Sequence, residues 1–501
     1  MPDIQFQNLA PEHWKADVML IPFCEGEVDP GRHPELDKAV PWLAVAPALR
    51  DLRGEKDELA LIHGHPELSV PRALAVGLGP RNAMGMDVFR KAIAEAVSLC
   101  AKKEFSSVLL PEPLLAGLPG GRERLVEEAV YAALLALHRF SALRRKPERP
   151  AKGPERIALG FAGDNPDYLH AAARRGENAA DAVGMARDLA NMPGNLLSPQ
   201  AIAERAEQLA GEYGFACTVF NEAELEKQGF GALAAVGQGS ARPPRLVVLE
   251  YAAEGHGQEK PLIFVGKGIT FDSGGLCIKT ATGMGEMKSD MSGAAAVLAA
   301  VAAAARENVP RRIVGLLACA ENMPDGSAMR PGDVVRTVNG DTVEIVNTDA
   351  EGRLALCDAL AWAQKEWTPA AIIDIATLTG ACAVALGRGL AGLFCDDADL
   401  AERMRTAGGT CGEPCWELPL WKPYAEHLKS EIADICHTGP REGGAIHAAL
   451  FLRHFVAEST RWAHLDIAGT DWAEKSSALC PKGGTGFGTR TLLELARGGV
   501  L

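Results

Sequence analysis

The stretch LIFVGKGITFDSGGLCIKT at residues 262–280 decides the fold. Residues 262–266 form an apolar run of the kind found in strands that are buried on both faces of a parallel sheet. Lys267 and Asp272 follow in a glycine-rich segment, which we expect to be a loop that turns tightly around something small. Because a buried lysine or aspartate is costly when it stands alone, this segment predicts a compensating group at the end of the strand.

Apolar runs alternate with helical patterns on both sides of this stretch. An alanine-rich helix is predicted at 292–307 and another helix at 350–366, with a strand at 313–318 between them. The alternation predicts an α/β fold in which helices cover both faces of a central, mostly parallel sheet. We expect two domains, in chain order an N-terminal α/β domain at 1–165, a connecting helix at 166–190 and a C-terminal αβα domain at 191–501.

The composition is that of an ordinary globular chain. Its 501 residues are 47% hydrophobic, and 51 Lys and Arg against 65 Asp and Glu give a net charge of −14. An acidic chain is a poor candidate for binding nucleic acid, although the basic stretch at 144–156 leaves DNA binding open as an unfavoured alternative. The first twenty residues lack the basic and then apolar pattern of an export signal, and no apolar run is long enough to span a bilayer. We therefore expect a cytoplasmic protein without a membrane partner.

Several charged residues lie where predicted strands end and predicted helices begin. Besides Lys267 and Asp272, Asp290 precedes the alanine-rich helix, and Asp349 and Glu351 precede the next one. Considered alone, each could be a helix cap or a loop residue. Gathered in one cleft, the four carboxylates would repel one another unless cations held them together. Two divalent metal ions that share bridging carboxylates would remove this difficulty.

Three common catalytic motifs are absent from the sequence. They are the His-Glu-x-x-His helix of many zinc peptidases, the Gly-x-Ser-x-Gly nucleophile turn and the Walker A loop for nucleotide phosphates. Their absence leaves the carboxylates and lysines as the residues on which a function can be argued.

Three segments, VGKGITFDSGGLCIK, MKSDMSGAAAV and NTDAEGRL, resemble signature segments of the leucyl aminopeptidase (cytosol aminopeptidase) family. The resemblance continues in ARDLANMPGN, ATLTGACAVALG, GGAIHAALFL and WAHLDIAGT, so that it covers most of residues 186–493. It implies a two-metal exopeptidase with a variable N-terminal α/β domain, a C-terminal catalytic domain and assembly as a homohexamer.

The resemblance implies a role for ten residues by their positions in these segments. They are the metal ligands Lys267, Asp272, Asp290, Asp349 and Glu351, the catalytic residues Lys279 and Arg353, and the substrate-pocket residues Met287, Thr377 and Gly380. Asp272 and Glu351 would bridge two divalent ions, Mn²⁺ or Zn²⁺. Lys279 would stabilise the charge that grows on the peptide carbonyl oxygen, and Arg353 would hold a bicarbonate ion. Residues that depart from the family pattern are Cys277, Thr280, Cys357 and His447, none of them a predicted ligand.

The function that the resemblance implies is that of a metal-dependent leucyl aminopeptidase. Such an enzyme would use a metal-activated water to remove an N-terminal Leu or another apolar residue from peptide substrates, in intracellular protein and peptide turnover. Two other classes of function stay open, a DNA-binding role and an inactive scaffold that keeps the fold. The complete set of charged residues speaks against the scaffold, because a scaffold has no reason to retain mutually repelling charges.

Overall fold

The computed structural model describes residues 2–26, 38–43, 46, 51–145, 153–162 and 167–498. Two units can be distinguished, one formed by 1–181 with 475–481 and the other by 182–474 with 482–501. The domain borders drawn from the sequence stay predictions. Part of the basic stretch at 144–156 lies outside the described residues. Among the described helices, none has the length and apolar character needed to cross a membrane.

The first unit contains a six-stranded sheet. Its strands follow the order β1-β6-β5-β2-β4-β3, and all neighbours are parallel except β3 and β4. Every residue of β2 and of β5 is buried, as expected for apolar runs at the centre of a sheet covered on both faces. The strands are β1 (Asp3–Gln7), β2 (Val18–Phe23), β3 (Leu59–His63), β4 (Arg72–Gly77), β5 (Ser107–Pro111) and β6 (Arg156–Gly160), and the helices are α1 (Met86–Lys102), α2 (Glu112–Ala116) and α3 (Arg122–Leu137), followed by α4 (Asp167–Asn191), which continues into the second unit.

The second unit contains an eight-stranded sheet, a three-stranded sheet and a two-stranded sheet. Its strands are β7 (Ala216–Phe220), β8 (Arg245–Ala252), β9 (Leu262–Asp272), β10 (Arg312–Asn322), β11 (Val334–Arg336), β12 (Thr342–Glu344), β13 (Ala371–Ala376), β14 (Ala391–Cys395), β15 (Cys415–Glu417), β16 (Ile435–Cys436), β17 (Trp462–Asp466), β18 (Trp472–Ala473) and β19 (Gly483–Gly484). Its helices are α5 (Pro199–Tyr213), α6 (Glu222–Gln228), α7 (Gly231–Gly237), α8 (Ser292–Arg306), α9 (Glu351–Glu366), α10 (Gly380–Leu386), α11 (Ala398–Cys411), α12 (Gly444–His454) and α13 (Thr489–Arg497).

Parallel strands occupy the centre of the eight-stranded sheet. The order is β15-β14-β17-β13-β9-β10-β8-β7, in which β17, β13, β9 and β10 run parallel and the antiparallel pairings lie toward the edges. The α/β class with two domains and a mostly parallel sheet is confirmed. The carboxyl ends of four neighbouring strands therefore meet at one edge, where ligands collect in folds of this kind.

Close packing brings α8 against β9. A side chain at Gly266 would place its Cβ only 2.6 Å from the Cα of Ala294, and one at Gly293 would collide with the carbonyl oxygen of Ile375. The alanines and glycines here allow the helix to lie directly on the sheet. As a consequence, Asp290, two residues before the helix, lies beside Lys267 on the strand.

The strand β9 is longer than the sequence predicted, which corrects the expectation of a loop from residue 267 onward. It continues to Asp272 because β10 pairs with it along this length, with a β-bulge between Ala320 and Asn322. The turn begins only afterwards, at Gly274 and Gly275, whose φ angles of 86° and 63° favour glycine. Lys267 is therefore held by a rigid strand and not by a loop.

Candidate metal centre

Lys267 lies at the centre of a buried charge cluster. Its Nζ atom is 2.8 Å from Oδ1 of Asp290 and 3.1 Å from Oε1 of Glu351, and it donates to the carbonyl oxygen of Thr377 at 2.9 Å. Lys267 lies on β9, and its three partners come from the segment before α8, the first residue of α9 and the residue after β13. The sheet edge thus gathers residues that are far apart in sequence.

Lys279 connects a second pair of carboxylates. Its Nζ atom is 2.7 Å from Oδ2 of Asp272 and 2.7 Å from Oδ1 of Asp349. The turn at Gly274 and Gly275 brings Lys279 back toward Asp272, and its backbone N–H donates to the carbonyl oxygen of Ser273 at 2.9 Å. Each of the two lysines therefore contacts two carboxylates of the cluster.

Asn322, at the end of β10, orients this cluster, and the sequence analysis missed it. Its side-chain amide donates to Oδ1 of Asp272 at 2.8 Å and to the carbonyl oxygen of Thr348 at 3.0 Å. The backbone N–H of Gly274 donates to the same oxygen of Asp272 at 2.8 Å. One signal was available, because a buried asparagine at the end of a strand beside β9 is a polar residue that needs partners.

The acidic residues before the helices do not act as simple caps. Met291 and not Asp290 occupies the cap position of α8, and Oδ2 of Asp290 has no hydrogen-bond partner among the described residues. Asn347 caps the short 3-10 turn Thr348–Ala350 by accepting from the backbone N–H of Asp349 at 3.0 Å. The carboxylates of Asp290 and Asp349 are thereby directed into the cluster.

Burial and mutual repulsion shift the acidic pKa values of the cluster. Burial and the neighbouring Glu351 raise the pKa of Asp272 to about 6. Burial raises the pKa of Asp290 well above its usual range, against the attraction of Lys267. Burial would also raise the pKa of Glu351, but Lys267 and Lys279 outweigh it and lower that pKa. Four carboxylates against two ammonium groups leave an excess of negative charge, which a cation would neutralise.

The donor atoms fit a divalent metal ion. One carboxylate oxygen each from Asp272, Asp290 and Glu351 lie within 4.8 Å of one another, and all three residues are buried. Oδ2 of Asp290 is free to coordinate. Oxygen-rich sites suit hard divalent cations such as Mn²⁺. The Nζ atom of Lys267 would join them only after losing its proton, and burial would lower its pKa while the surrounding carboxylates raise it above the usual value.

Arg353 lies two residues after Glu351 on α9 and is buried. Its Nη1 atom donates to the carbonyl oxygen of His437 at 2.9 Å, and its Nε atom has no hydrogen-bond partner among the described residues. Burial lowers the pKa of Arg353 to about 10. A buried guanidinium with a free donor suits an anion.

His437 anchors the segment that faces Arg353, and it is a second residue that the sequence analysis missed. The backbone N–H of Val346 donates to its Nδ1 atom at 3.2 Å, and its Nε2 atom is 2.8 Å from the carbonyl oxygen of Asn347. The Nδ1 atom also lies 3.1 Å from the carbonyl oxygen of Glu344. Burial lowers the pKa of His437 to about 4, so its ring is neutral at neutral pH.

The three predicted pocket residues lie in three different surroundings. Thr377 belongs to the cluster, because its hydroxyl donates to Oδ1 of Asp290 at 2.6 Å. Met287 is half-buried in the 3-10 helix Met284–Ser289, and its carbonyl oxygen accepts from the backbone N–H of Asp290 at 3.3 Å. Gly380 opens α10, where a Cβ atom would meet no atom of the described residues within 4 Å.

Three of the residues that depart from the family pattern form local hydrogen bonds. The backbone N–H of Cys277 donates to the hydroxyl of Thr348 at 2.8 Å. The thiol of Cys357 is buried and donates to the carbonyl oxygen of Leu354 within α9. His447 is buried on α12, with its Nε2 atom 2.8 Å from Nδ1 of His427.

Comparison with known proteins identifies similar sequences and structures over nearly the whole chain. The catalytic domain of the cytosol aminopeptidase family matches residues 184–493, and the N-terminal domain of that family matches residues 22–147. A probable cytosol aminopeptidase of Desulfovibrio desulfuricans is 68% identical over 500 residues, covering 100% of both chains. Another, of Nitratidesulfovibrio vulgaris, is 49% identical and covers 99% of each chain.

Two solved structures are also similar. The bottromycin maturation enzyme BotP in complex with Mn has a TM-score of 0.85 at 36% identity, covering 96% of this chain and 99% of that one. A mutant of tomato leucine aminopeptidase has a TM-score of 0.86 at 31% identity, covering 99% of this chain and 96% of that one.

Proposed function

We propose, from the premise that this chain belongs to the cytosol aminopeptidase family, that it removes N-terminal Leu or another apolar residue from peptides with the help of two divalent metal ions. Its class is that of an aminopeptidase, a hydrolase of peptide bonds. The proposal includes Mn²⁺ or Zn²⁺ as the metals, a homohexamer as the assembly, the cytoplasm as the location and intracellular protein and peptide turnover as the role.

The observation that carries the proposal is the convergence of acidic and basic side chains at one sheet edge. Lys267 pairs with Asp290 and Glu351, while Lys279 pairs with Asp272 and Asp349. Such an arrangement is expensive to bury for structural purposes alone. The separation of the carboxylate oxygens suits shared coordination of cations.

The proposed metal ligands are those that the resemblance to the family implies, and Asp272, Asp290 and Glu351 among them offer carboxylate oxygens within 4.8 Å of one another. Lys267, Asp272, Asp290 and Glu351 would hold one ion, and Asp272, Asp349 and Glu351 the other. When bound, the ions would lower the pKa of a water molecule and polarise the peptide carbonyl group. Asn322 would keep Asp272 in position through its hydrogen bond at 2.8 Å.

Lys279 and Arg353 would act on the substrate and on the proton balance. Burial would lower the pKa of Lys279, but Asp272 and Asp349 raise it, so its ammonium group stays charged at neutral pH. Once cations occupy the carboxylates, this ammonium group is available to donate to the oxygen on which negative charge grows. The free Nε atom of Arg353 would hold a bicarbonate ion in its buried surroundings.

The preference for an apolar first residue rests on Met287, Thr377 and Gly380. Gly380 leaves open space, and Met287 offers a flexible thioether that adapts to apolar side chains. The hydroxyl of Thr377 is already engaged by Asp290, so that it is not free to bind a substrate side chain.

The proposal predicts hydrolysis of leucine p-nitroanilide that depends on metal. Chelation should abolish release of nitroaniline and Mn²⁺ should restore it. Asp349→Ala should lower kcat/KM by roughly 1000-fold because a carboxylate ligand is lost. Exposed Asp399, which is bonded to Arg403 on the surface of α11, provides a matched control as Asp399→Ala.

N-acetyl-leucine p-nitroanilide should remain uncleaved, since an exopeptidase requires a free amino group. Full activity after thorough metal removal, or cleavage of the acetylated substrate, would contradict the proposal. Sedimentation of the metal-loaded protein separately tests the homohexamer.

A further inference from the structure

We propose that Asp471 is a specificity-determining residue that lets the first-residue pocket accept a side chain ending in a cation, lysine or arginine, beside apolar ones. This inference rests on the proposed function and deepens it, because it names a second class of substrate for the same site. The residue lies outside the set of predicted pocket residues.

Asp471 is a buried carboxylate in the loop that follows β17, with only 6% of its surface exposed. Its Oδ2 atom accepts a hydrogen bond from the hydroxyl of Ser289 at 2.8 Å. Its Oδ1 atom receives no hydrogen bond from any other residue in the part of the chain that the structure describes. One oxygen is thus fixed, and the other can receive a donor from a ligand.

The loop at 467–472 contacts both elements that carry predicted pocket residues. Asp471 bonds to Ser289, which ends the 3-10 helix that contains Met287, and the Nζ atom of Lys288 lies 5.6 Å from the ring centre of Trp472. On the other side, a Cβ at Gly469 would collide with the carbonyl oxygen of Gly387, just after α10. The loop that carries Asp471 therefore reaches from the element of Met287 to the end of α10.

The residue before this loop also forms hydrogen bonds with the two residues that precede α10. Asp466, the last residue of β17, accepts at Oδ2 from the hydroxyl of Thr379 at 2.7 Å and at Oδ1 from the backbone N–H of Leu378 at 3.1 Å. Because Thr379 directly precedes Gly380, these bonds fix the loop relative to the pocket residue.

The cations that act on Asp471 already have carboxylate partners. Arg388 lies 2.8 Å from Glu474, and Lys267 is shared by Asp290 and Glu351. Burial raises the pKa of Asp471 to about 7, and Ser289, Arg388 and Lys267 only partly oppose this rise. A buried carboxylate without an ion-pair partner of its own is costly, and a purely apolar pocket would not need it.

A cationic first residue would supply the missing partner. The methylene groups of a lysine would lie along the apolar part of the pocket while the ammonium group donates to Oδ1 of Asp471. Norleucine has the same carbon chain without the amine, and leucine is shorter. Both can enter the pocket without reaching the carboxylate, which is why apolar residues remain substrates.

The test compares lysyl and norleucyl p-nitroanilide with the Mn²⁺-loaded protein. In the wild type we expect the ratio of kcat/KM for lysyl over norleucyl substrate to be near or above one. Asp471→Asn keeps the shape and an acceptor for Ser289 but removes the charge. It should lower this ratio by about tenfold to a hundredfold, because a charged hydrogen bond is lost, with little change for the norleucyl substrate.

Glu413→Gln is the matched control. Glu413 is equally buried but is bonded to the backbone N–H and the hydroxyl of Thr491, at 2.8 and 2.7 Å. Its substitution should leave the ratio unchanged. Calorimetric binding of free L-lysine and L-norleucine to the same proteins provides a readout that does not depend on turnover, and Asp471→Asn should weaken only the binding of lysine.

An unchanged lysyl-to-norleucyl ratio in Asp471→Asn would overturn the inference. So would a wild type that binds lysine far more weakly than norleucine, a result that needs no variant and therefore holds even when Asp471→Asn does not fold. Absence of turnover with every substrate would count against the proposed function, whereas the binding comparison would still decide the role of Asp471.

Discussion

Two buried carboxylates on α9 show how similar positions serve different purposes. Glu351 and Asp358 are seven residues apart, on the same face of the helix, and both are almost fully buried. Asp358 accepts hydrogen bonds from the backbone N–H groups of Ala232, Leu233 and Val338, at 2.9, 2.9 and 2.8 Å. Glu351 instead has an ammonium group at 3.1 Å.

The partners distinguish the two roles. The backbone donors of Asp358 are part of the fold, so this carboxylate needs no further partner and holds α9 to α7 and to the hairpin of β11 and β12. Glu351 shares its lysine with Asp290, and its surroundings contain more carboxylates than cations. A buried charge that is satisfied by the backbone indicates structure, whereas one in an unbalanced cluster indicates a ligand.

The largest expected difference is in catalysis. Glu351→Gln removes a charge from the cluster and should lower kcat/KM for leucine p-nitroanilide by roughly 1000-fold, with the fold retained. Asp358→Asn, the equivalent change at the other position, should lower it by less than about threefold because this carboxylate does not touch the cluster. Circular dichroism of both variants checks that they are folded. Equal losses of activity in the two variants would remove the distinction between them.

A smaller difference is expected in stability. Asp358→Ala leaves three backbone N–H groups, two of them on buried residues, without an acceptor and should lower the free energy of unfolding by roughly 2 to 5 kcal/mol. The measurement is urea unfolding at pH 8, above the pKa of about 7 to which burial raises this carboxyl group. Glu351→Ala should cost less stability or even stabilise the metal-free protein, because repulsion within the cluster is relieved. A greater loss of stability in Glu351→Ala than in Asp358→Ala would reverse the comparison.

The smallest expected effect concerns His437, a third buried group that the backbone satisfies. Its pKa of about 4 in the folded protein lies below the usual 6.5, so between these values the unfolded chain binds a proton that the folded chain does not. Stability should therefore decrease as the pH falls from 7 to 5, by about 2 kcal/mol from this residue. In His437→Gln that contribution disappears, and the difference in slope between wild type and variant measures it. Parallel slopes would show that His437 is accessible to protons in the folded state.

The comparison of Glu351 with Asp358 also shows which features could be predicted from the sequence and which could not. The charged residues of the cluster were identifiable because they lie in short segments next to predicted strands and helices. The prediction of a loop after residue 266 was wrong, because pairing with β10 extends β9 to Asp272. The glycines at 266 and 268 indicated a turn in the sequence, yet in the structure they allow close packing against α8 and Cys319.

Other elements carried too weak a local signal. The strand β1 was not predicted, since its polar residues become a strand only through parallel pairing with β6. Asn322 was overlooked because its partner Asp272 is 50 residues away in the sequence. The hydrogen bond between Ser289 and Asp471 joins residues 182 positions apart.

The sequence by itself determined the family, the α/β class and the set of charged residues, because each of these depends on local patterns of apolarity, glycine and charge. Only the tertiary structure decided how the two lysines divide the four carboxylates, which polar residues orient them and which buried carboxylate on α9 faces the cluster. The physical reason is that parallel strands bring their carboxyl ends to one edge of the sheet. Side chains meet there that no local pattern connects, and their burial makes every missing partner costly.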